Sequence, residues 1–193
     1  MKSRFKKVYL LQGQEDNSGE VVKTISKILA KHAGVQVAIP HIPEYEEMRA
    51  DVALKVLQDN ISHMEPNSLL VGISLGGLLA AALQEANPEH NFNVFAISSY
   101  TSDVGVMLME YRVQRISLFS SLENSLFNDW RKYTPYTYDV PWLQHGPEIS
   151  KYTLSHLIYS YLNKSTIRKE IEELDTYFPE FDFSTSERVA LAS

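Results

Sequence analysis

Short apolar runs alternate with longer stretches of helical periodicity through most of the chain. The first run, Val8-Tyr9-Leu10-Leu11, ends at polar Gln12-Gly13-Gln14 and predicts a buried strand. Residues 12–19 are polar and rich in turn formers, predicting a loop that hands over to a helix. That helix carries Val21, Ile25, Ile28 and Leu29 on one face and stops at Gly34. Residues 35–39 form the next apolar run, closed by Pro40 and Pro43. Glu44, Glu46 and Glu47 then suit the positive end of a second helix, whose buried stripe reads Met48, Val52, Val56 and Ile61.

The run Leu69-Leu70-Val71-Gly72-Ile73 passes directly through Ser74 into Leu75-Gly76-Gly77-Leu78-Leu79-Ala80-Ala81-Ala82, a strand joined to a helix by a single residue. Further strands are expected at 92–97, 115–119 and 136–143, and a helix at about 150–162 with Tyr152, Leu154, Leu157, Ile158 and Tyr161. Strands separated by helical crossovers predict an α/β fold: a mostly parallel central sheet with helices on both faces and ligands at the carboxyl ends of the strands. Ser74 lies at such an end. Residues 1–163 are expected to form this domain and residues 164–193 a C-terminal extension. In the extension Ile167, Ile171 and Leu174 share a helical face, Glu170, Glu172 and Glu173 face water, and the dense aromatics of residues 177–183 need cover.

Composition narrows the function. A net charge of -6 offers no field for nucleic-acid phosphates or anionic lipid, which excludes nucleic-acid and membrane-surface binding as first readings and suits neutral or cationic small molecules. Without cysteine there are no disulfides and no thiolate metal sites. The first apolar run is too short for a secretory core or a membrane span, so a cytoplasmic protein is expected. No metal spacing and no phosphate-binding loop is found, so no cofactor is expected.

The chemistry gathers around Gly72-Ile73-Ser74-Leu75-Gly76. Small residues at 72 and 76 let strand and helix backbones approach, so the serine between them sits on a strained turn with its hydroxyl above the sheet edge. The Leu75 amide opens the helix, where free N–H groups and the helix dipole can hold an oxyanion. A second donor is expected from the Gln12-Gly13-Gln14 loop after the first strand, at Gly13 or Gln14.

A serine hydroxyl needs a base, and the base needs an acid to fix its tautomer. His145 follows the expected final strand and is the candidate base. His156 lies within an amphipathic helix, and His32, His41, His63 and His90 precede the last strands and read as solvated. Glu123, in the loop after the 115–119 strand, is the candidate acid, with Asp103 and Asp129 as alternatives. Trp130, Tyr133, Tyr136, Tyr138 and Trp142 read first as core and strand face, and second as the lining of an acyl pocket.

Taken together, these pieces resemble the α/β-hydrolase superfamily, in particular its small lidless serine-esterase-like members. The resemblance spans about residues 6–163 and is carried by residues 8–13 and 37–45, the elbow at 72–77, the acid loop at 120–124 and His145. It implies a minimal fold without a cap domain, since residues 98–114 are too few for one, and therefore an open site. It also implies hydrolysis of a carboxylic ester or thioester through an acyl-enzyme: Ser74 attacks, His145 shuttles the proton, Glu123 orients it, and Leu75 and the Gly13 loop hold the oxyanion. Three positions depart from the family pattern: Gln12 stands where His is usual, Glu123 where Asp is usual, and Gln144 where Gly is common. These departures leave open a catalytically inactive relative that binds a ligand or partner. Acyl transfer to an acceptor other than water uses the same residues. A homodimer through the C-terminal extension is a further expectation.

Overall fold

A computed structural model describes residues 3–13, 16–42, 50–99, 115–119, 136–140, 151–164 and 167–177, together with Arg131, Thr134 and Leu143. Six strands are described: β1 (Lys7–Leu11), β2 (Gln36–Ala38), β3 (Leu69–Ile73), β4 (Asn93–Ile97), β5 (Arg115–Phe119) and β6 (Thr137–Asp139). They form one sheet in the order β2-β1-β3-β4-β5-β6, and every neighbouring pair is parallel. The chain starts in the interior at β1, steps outward to β2, then crosses to β3 on the other side of β1. That reversal brings the ends of β1 and β3 together as a crevice at the carboxyl edge.

The helices are α1 (Asp16–His32), α2 (Ala50–Asp59), α3 (Leu75–Ala86), α4 (Lys151–Asn163) and α5 (Arg168–Tyr177). Strand alternation divides the core between the two faces. Val8, Leu10, Leu69, Val71, Ile73, Phe95 and Ile97 point to one face and pack with Val21, Ile25 and Leu29 of α1, with α4 and with α5. Tyr9, Leu11, Leu70, Val94 and Ala96 point to the other and pack with α2 and α3. Buried on both of its sides, α3 is apolar around most of its circumference. Its one long polar side chain there, Gln84, is satisfied by the Phe92 carbonyl at 2.7 Å.

Several local expectations are corrected. α1 begins at Asp16, inside the stretch expected to be a loop, because Asp-Asn-Ser-Gly is the composition of a helix start as much as of a turn. On α2 the buried positions are Ala53 and Leu57, whereas Val52 is 43% exposed and Val56 and Ile61 are half-buried. The stripe is turned by one residue because the apolar surface of α3 accepts the small Ala53 side chain. Met48 and Glu44, Glu46 and Glu47 lie outside the described residues. β2 is only three residues long, with Ile39 beyond it and 38% exposed, as befits the outermost strand. Tyr152 is exposed on α4.

The C-terminal helix docks on the domain itself. Ile167 and Ile171 are buried in the core shared with α1 and α4. Glu170, expected in water, is only 8% exposed, and the Lys164 ammonium just after α4 hydrogen-bonds its carboxylate. Burial alone would raise that carboxyl, but the Lys164 hydrogen bond and charge, its own backbone and His156 together hold it below its ordinary value. The same contact raises the Lys164 ammonium. Glu172 and Glu173 are exposed, and residues 178–193 lie outside the described residues.

At the amino terminus, residues 3–5 strap the end of α4. The Arg4 amide donates to the Leu162 carbonyl at 2.8 Å, and its guanidinium donates to Lys164 O at 2.5 Å. That guanidinium also stands over the rings of Phe5 and Tyr161, 5.2 and 5.0 Å from their centroids. Burial pushes the Tyr161 hydroxyl above its ordinary value, with Arg4 partly opposing the shift. Among the described residues no helix is long and apolar enough to cross a membrane.

Candidate active site

Ser74 occupies the single position between β3 and α3, and the backbone there is forced. Its φ of 51° and ψ of -121° form a combination that residues with a Cβ rarely adopt. Such a conformation costs on the order of 1–3 kcal/mol and persists only where the surroundings over-determine it. Here the Ser74 amide donates to the Ile97 carbonyl of β4 at 2.9 Å. The Ser74 carbonyl accepts from the Gly77 amide at 3.1 Å and from the Ser99 hydroxyl. Serine preceding a helix ordinarily turns its hydroxyl back to cap it. Ser74 makes no such capping bond, and its side chain is half-buried at the sheet edge.

The flanking glycines are required by contact with backbone. A Cβ on Gly72 would fall on the Gly76 carbonyl, and one on Gly76 would fall on the Leu11 carbonyl and lie 2.7 Å from that of Gln12. Strand β3, helix α3 and the end of β1 therefore meet backbone to backbone around Ser74. This places the buried Gly13 segment beside the first turn of α3, where the Leu75 N–H lacks an intrahelical acceptor by helix geometry. The two expected sources of oxyanion donors, after β1 and at the start of α3, thus lie together. Gln14 lies outside the described residues.

His145, Glu123, Asp103 and Asp129 also lie outside the described residues, but the strands that lead to them are described. The register pairs Ile73 with Ile97, Ile97 with Leu118, and Phe119 with Asp139, so the carboxyl ends of β3 to β6 are nearly level. Glu123 and Asp129 follow Phe119, His145 follows Asp139, and Asp103 follows Ile97. Each segment leaves from the edge that carries Ser74.

Of the other histidines, His32, His41, His63 and His156 are exposed. His90 departs from its expected solvated state: it is half-buried, with its ring stacked on Phe92 at 5.1 Å and Nδ1 3.1 Å from Glu89. Tyr138 packs half-buried against the core and Tyr136 is exposed, while Trp130, Tyr133 and Trp142 lie outside the described residues.

One neighbour of Ser74 belongs to no sequence motif. Ser99 is fully buried beside the elbow, and Ser98 before it has a positive φ of 46°. The available signal was positional: a polar Ser98-Ser99 pair ends the strand that pairs with the elbow strand.

No family model matches the chain, and no curated protein sequence matches it. Among solved structures it is similar to the crystal structure of the ydeN gene product from B. subtilis. The TM-score is 0.54 at 19% identity, over 70% of this chain and 84% of that one. The shared feature is the fold: an α/β architecture built on a parallel central sheet.

Proposed function

We propose that the protein is a serine hydrolase that cleaves a carboxylic ester or thioester through an acyl-enzyme intermediate. The observation that carries this reading is the strained backbone of Ser74 at the centre of the carboxyl edge, between glycines whose Cβ positions are already occupied by backbone atoms. Strain of this kind gathers where a side chain must be presented in one direction.

In this reading the Ser74 hydroxyl attacks the acyl carbonyl carbon while His145 takes its proton. Glu123 holds the imidazole in the right tautomer, with Asp103 or Asp129 as the alternative acid. The N–H of Leu75 and one from the Gly13 to Gln14 segment hold the oxyanion as the carbonyl becomes tetrahedral. His145 then returns the proton to the departing alkoxide or thiolate. Water, deprotonated by the same imidazole, attacks the acyl-enzyme, and collapse of the second tetrahedral species releases the acid and restores Ser74. The negative net charge favours neutral or cationic substrates.

Labelling with a fluorophosphonate followed by peptide mapping tests the reading. The expected result is one adduct, on Ser74. Ser74→Ala should abolish it and lower p-nitrophenyl ester hydrolysis by about a thousandfold or more, as for loss of an activated nucleophile. A folded protein that never labels favours a binding protein on the same scaffold.

A further inference from the structure

We infer that Ser99 is a positioning residue for Ser74: its buried hydroxyl, seated where Gly77 lacks a Cβ, holds the elbow carbonyl and so fixes the direction of the nucleophile. The inference rests on the reading of Ser74 as nucleophile.

Three observations place Ser99 in this role. First, the backbone of Ser74 is tied to the end of β4 on both of its sides. Its amide bonds to the Ile97 carbonyl, and its carbonyl accepts from the Ser99 hydroxyl. Rotation of the Ser74 backbone toward an ordinary conformation would swing those groups and break both ties. Secondly, Ser99 is 0% exposed, so an Oγ without an acceptor there would carry a desolvation penalty that water cannot relieve. The hydroxyl has the elbow carbonyl as an acceptor, and a hydrogen bond strengthens in a dry environment. Thirdly, Gly77 has a separate reason to be glycine. A Cβ at position 77 would fall on the Ser99 hydroxyl and lie 2.7 Å from Ser99 Cβ. Gly72 and Gly76 clear backbone alone, whereas Gly77 clears above all a side chain, with the Gly72 carbonyl oxygen next at 3.1 Å, and that side chain is bonded to the nucleophile residue.

The backbone before Ser99 fits the same arrangement. Ile73 and Ile97 are register partners, so Ser74 and Ser98 leave the sheet side by side, and both have positive φ. The turn at Ser98 redirects the chain so that the next residue can reach back over the first turn of α3. Two neighbouring strands thus end in paired strained residues, linked through one hydroxyl.

Positioning predicts a change in the rate of attack by Ser74, with little change in the binding of substrate. Losing the hydroxyl lets the elbow relax, and small displacements of a reacting atom are costly. For Ser99→Ala we expect the second-order rate of fluorophosphonate labelling and kcat for a p-nitrophenyl ester to fall about tenfold. KM and the midpoint of the pH–rate profile should not change, because the base is untouched.

Ser155→Ala is the control. Ser155 is also buried, and its hydroxyl donates to the Lys151 carbonyl at 2.7 Å within α4, remote from the elbow in sequence. Both variants should melt below the wild type, but only Ser99→Ala should label slowly when each is assayed below its own melting temperature. Should the alanine variant be too unstable to assay, Ser99→Cys replaces the hydroxyl with a weaker, slightly larger donor and should label more slowly than wild type. Wild-type labelling rates in a folded Ser99 variant, or equal slowing in Ser155→Ala, would overturn the role given to Ser99. A wild-type protein that does not label at all instead removes the nucleophile reading on which the inference rests.

Discussion

Gly19 and Gly76 both lie near the start of a helix, and replacing each by alanine should shift stability in opposite directions. The intrinsic gain is the same for both: alanine is favoured over glycine in a helix by about 1 kcal/mol, chiefly through the entropy of the unfolded chain. At Gly19 in α1 the nearest heavy atom to an added Cβ is the Gln12 Oε1 at 3.6 Å, an ordinary contact. Gly19→Ala should therefore stabilise the protein by about 0.5–1 kcal/mol. At Gly76 the added atom falls on the Leu11 carbonyl and lies 2.6 Å from its carbon and 2.7 Å from the Gln12 oxygen. Backbone cannot rotate aside as a side chain can, so α3 and the end of β1 must separate. Overpacking of this kind costs about 1–3 kcal/mol and sometimes more, and backbone atoms put this site at the upper end. The net loss for Gly76→Ala is about 2 kcal/mol, which sets the two variants about 3 kcal/mol apart. For a domain of this size that is a gap of about 6–12 °C in melting temperature. Urea denaturation of both variants alongside wild type, with equal slopes, measures it directly. Shifts of the same sign would refute the claim that β1 and α3 meet backbone to backbone at the site. A folded Gly76→Ala should also label slowly at Ser74, since the Gly13 segment moves with Leu11.

Among the histidines, His145→Ala should be as damaging to ester hydrolysis as Ser74→Ala, because residues acting as a unit fail together, while the exposed His156 should tolerate alanine. If Glu123→Gln leaves the rate intact and Asp103→Asn or Asp129→Asn removes it, the acid is reassigned and the serine–histidine pair stands. Truncation after Asn163 removes Ile167 and Ile171, which are 0% and 4% exposed. At about 1.5–3 kcal/mol each before ordering costs, their loss should lower the melting temperature by several degrees, and unchanged calorimetric melting would show the docking to be inconsequential. The depressed Glu170 carboxyl contributes stability above its ordinary value of 4.5, and that contribution disappears as pH falls through the lower folded value. Glu170→Gln should accordingly flatten the acid limb of the stability–pH curve. The raised Lys164 ammonium acts at the other end, its contribution persisting until pH rises through the raised folded value.

The parts of the fold that could be read from sequence are those where one residue type has one physical use. The 115–119 strand and the helix stop at Gly34, which takes a φ of 61°, fall where expected. The elbow is legible because glycines at 72 and 76 are what let β3 and α3 meet around the residue between them. Errors arise where two arrangements satisfy the same pattern. Val52 and Val56 have the same i, i+4 spacing as Ala53 and Leu57, and only the surface of α3 decides between them. Glu170 reads as a solvated carboxylate because its partner Lys164 stands outside the helix whose periodicity places Glu170. The same reasoning applies to the site. Ser74 is fixed by local backbone geometry, whereas a choice among Glu123, Asp103 and Asp129 depends on loops whose composition carries no register. Ser99 has no motif at all, and it becomes visible only when β4 is set beside β3.

The strap from residues 3–5 to the end of α4 also bears on the order in which the domain is completed. The Arg4 amide and the Leu162 carbonyl are 158 positions apart, yet they form a main-chain hydrogen bond. One face of β1, synthesised well before α4 and α5, shares its core with Leu154, Leu157, Ile158, Ile167 and Ile171. During translation α1 covers only part of that face, and the remaining apolar surface waits for α4 and α5 to emerge from the ribosome. Such long-range closure slows folding and leaves the nascent chain exposed to aggregation. Slower elongation just before α4 would lengthen that interval, whereas a chaperone that shields apolar strands would bridge it.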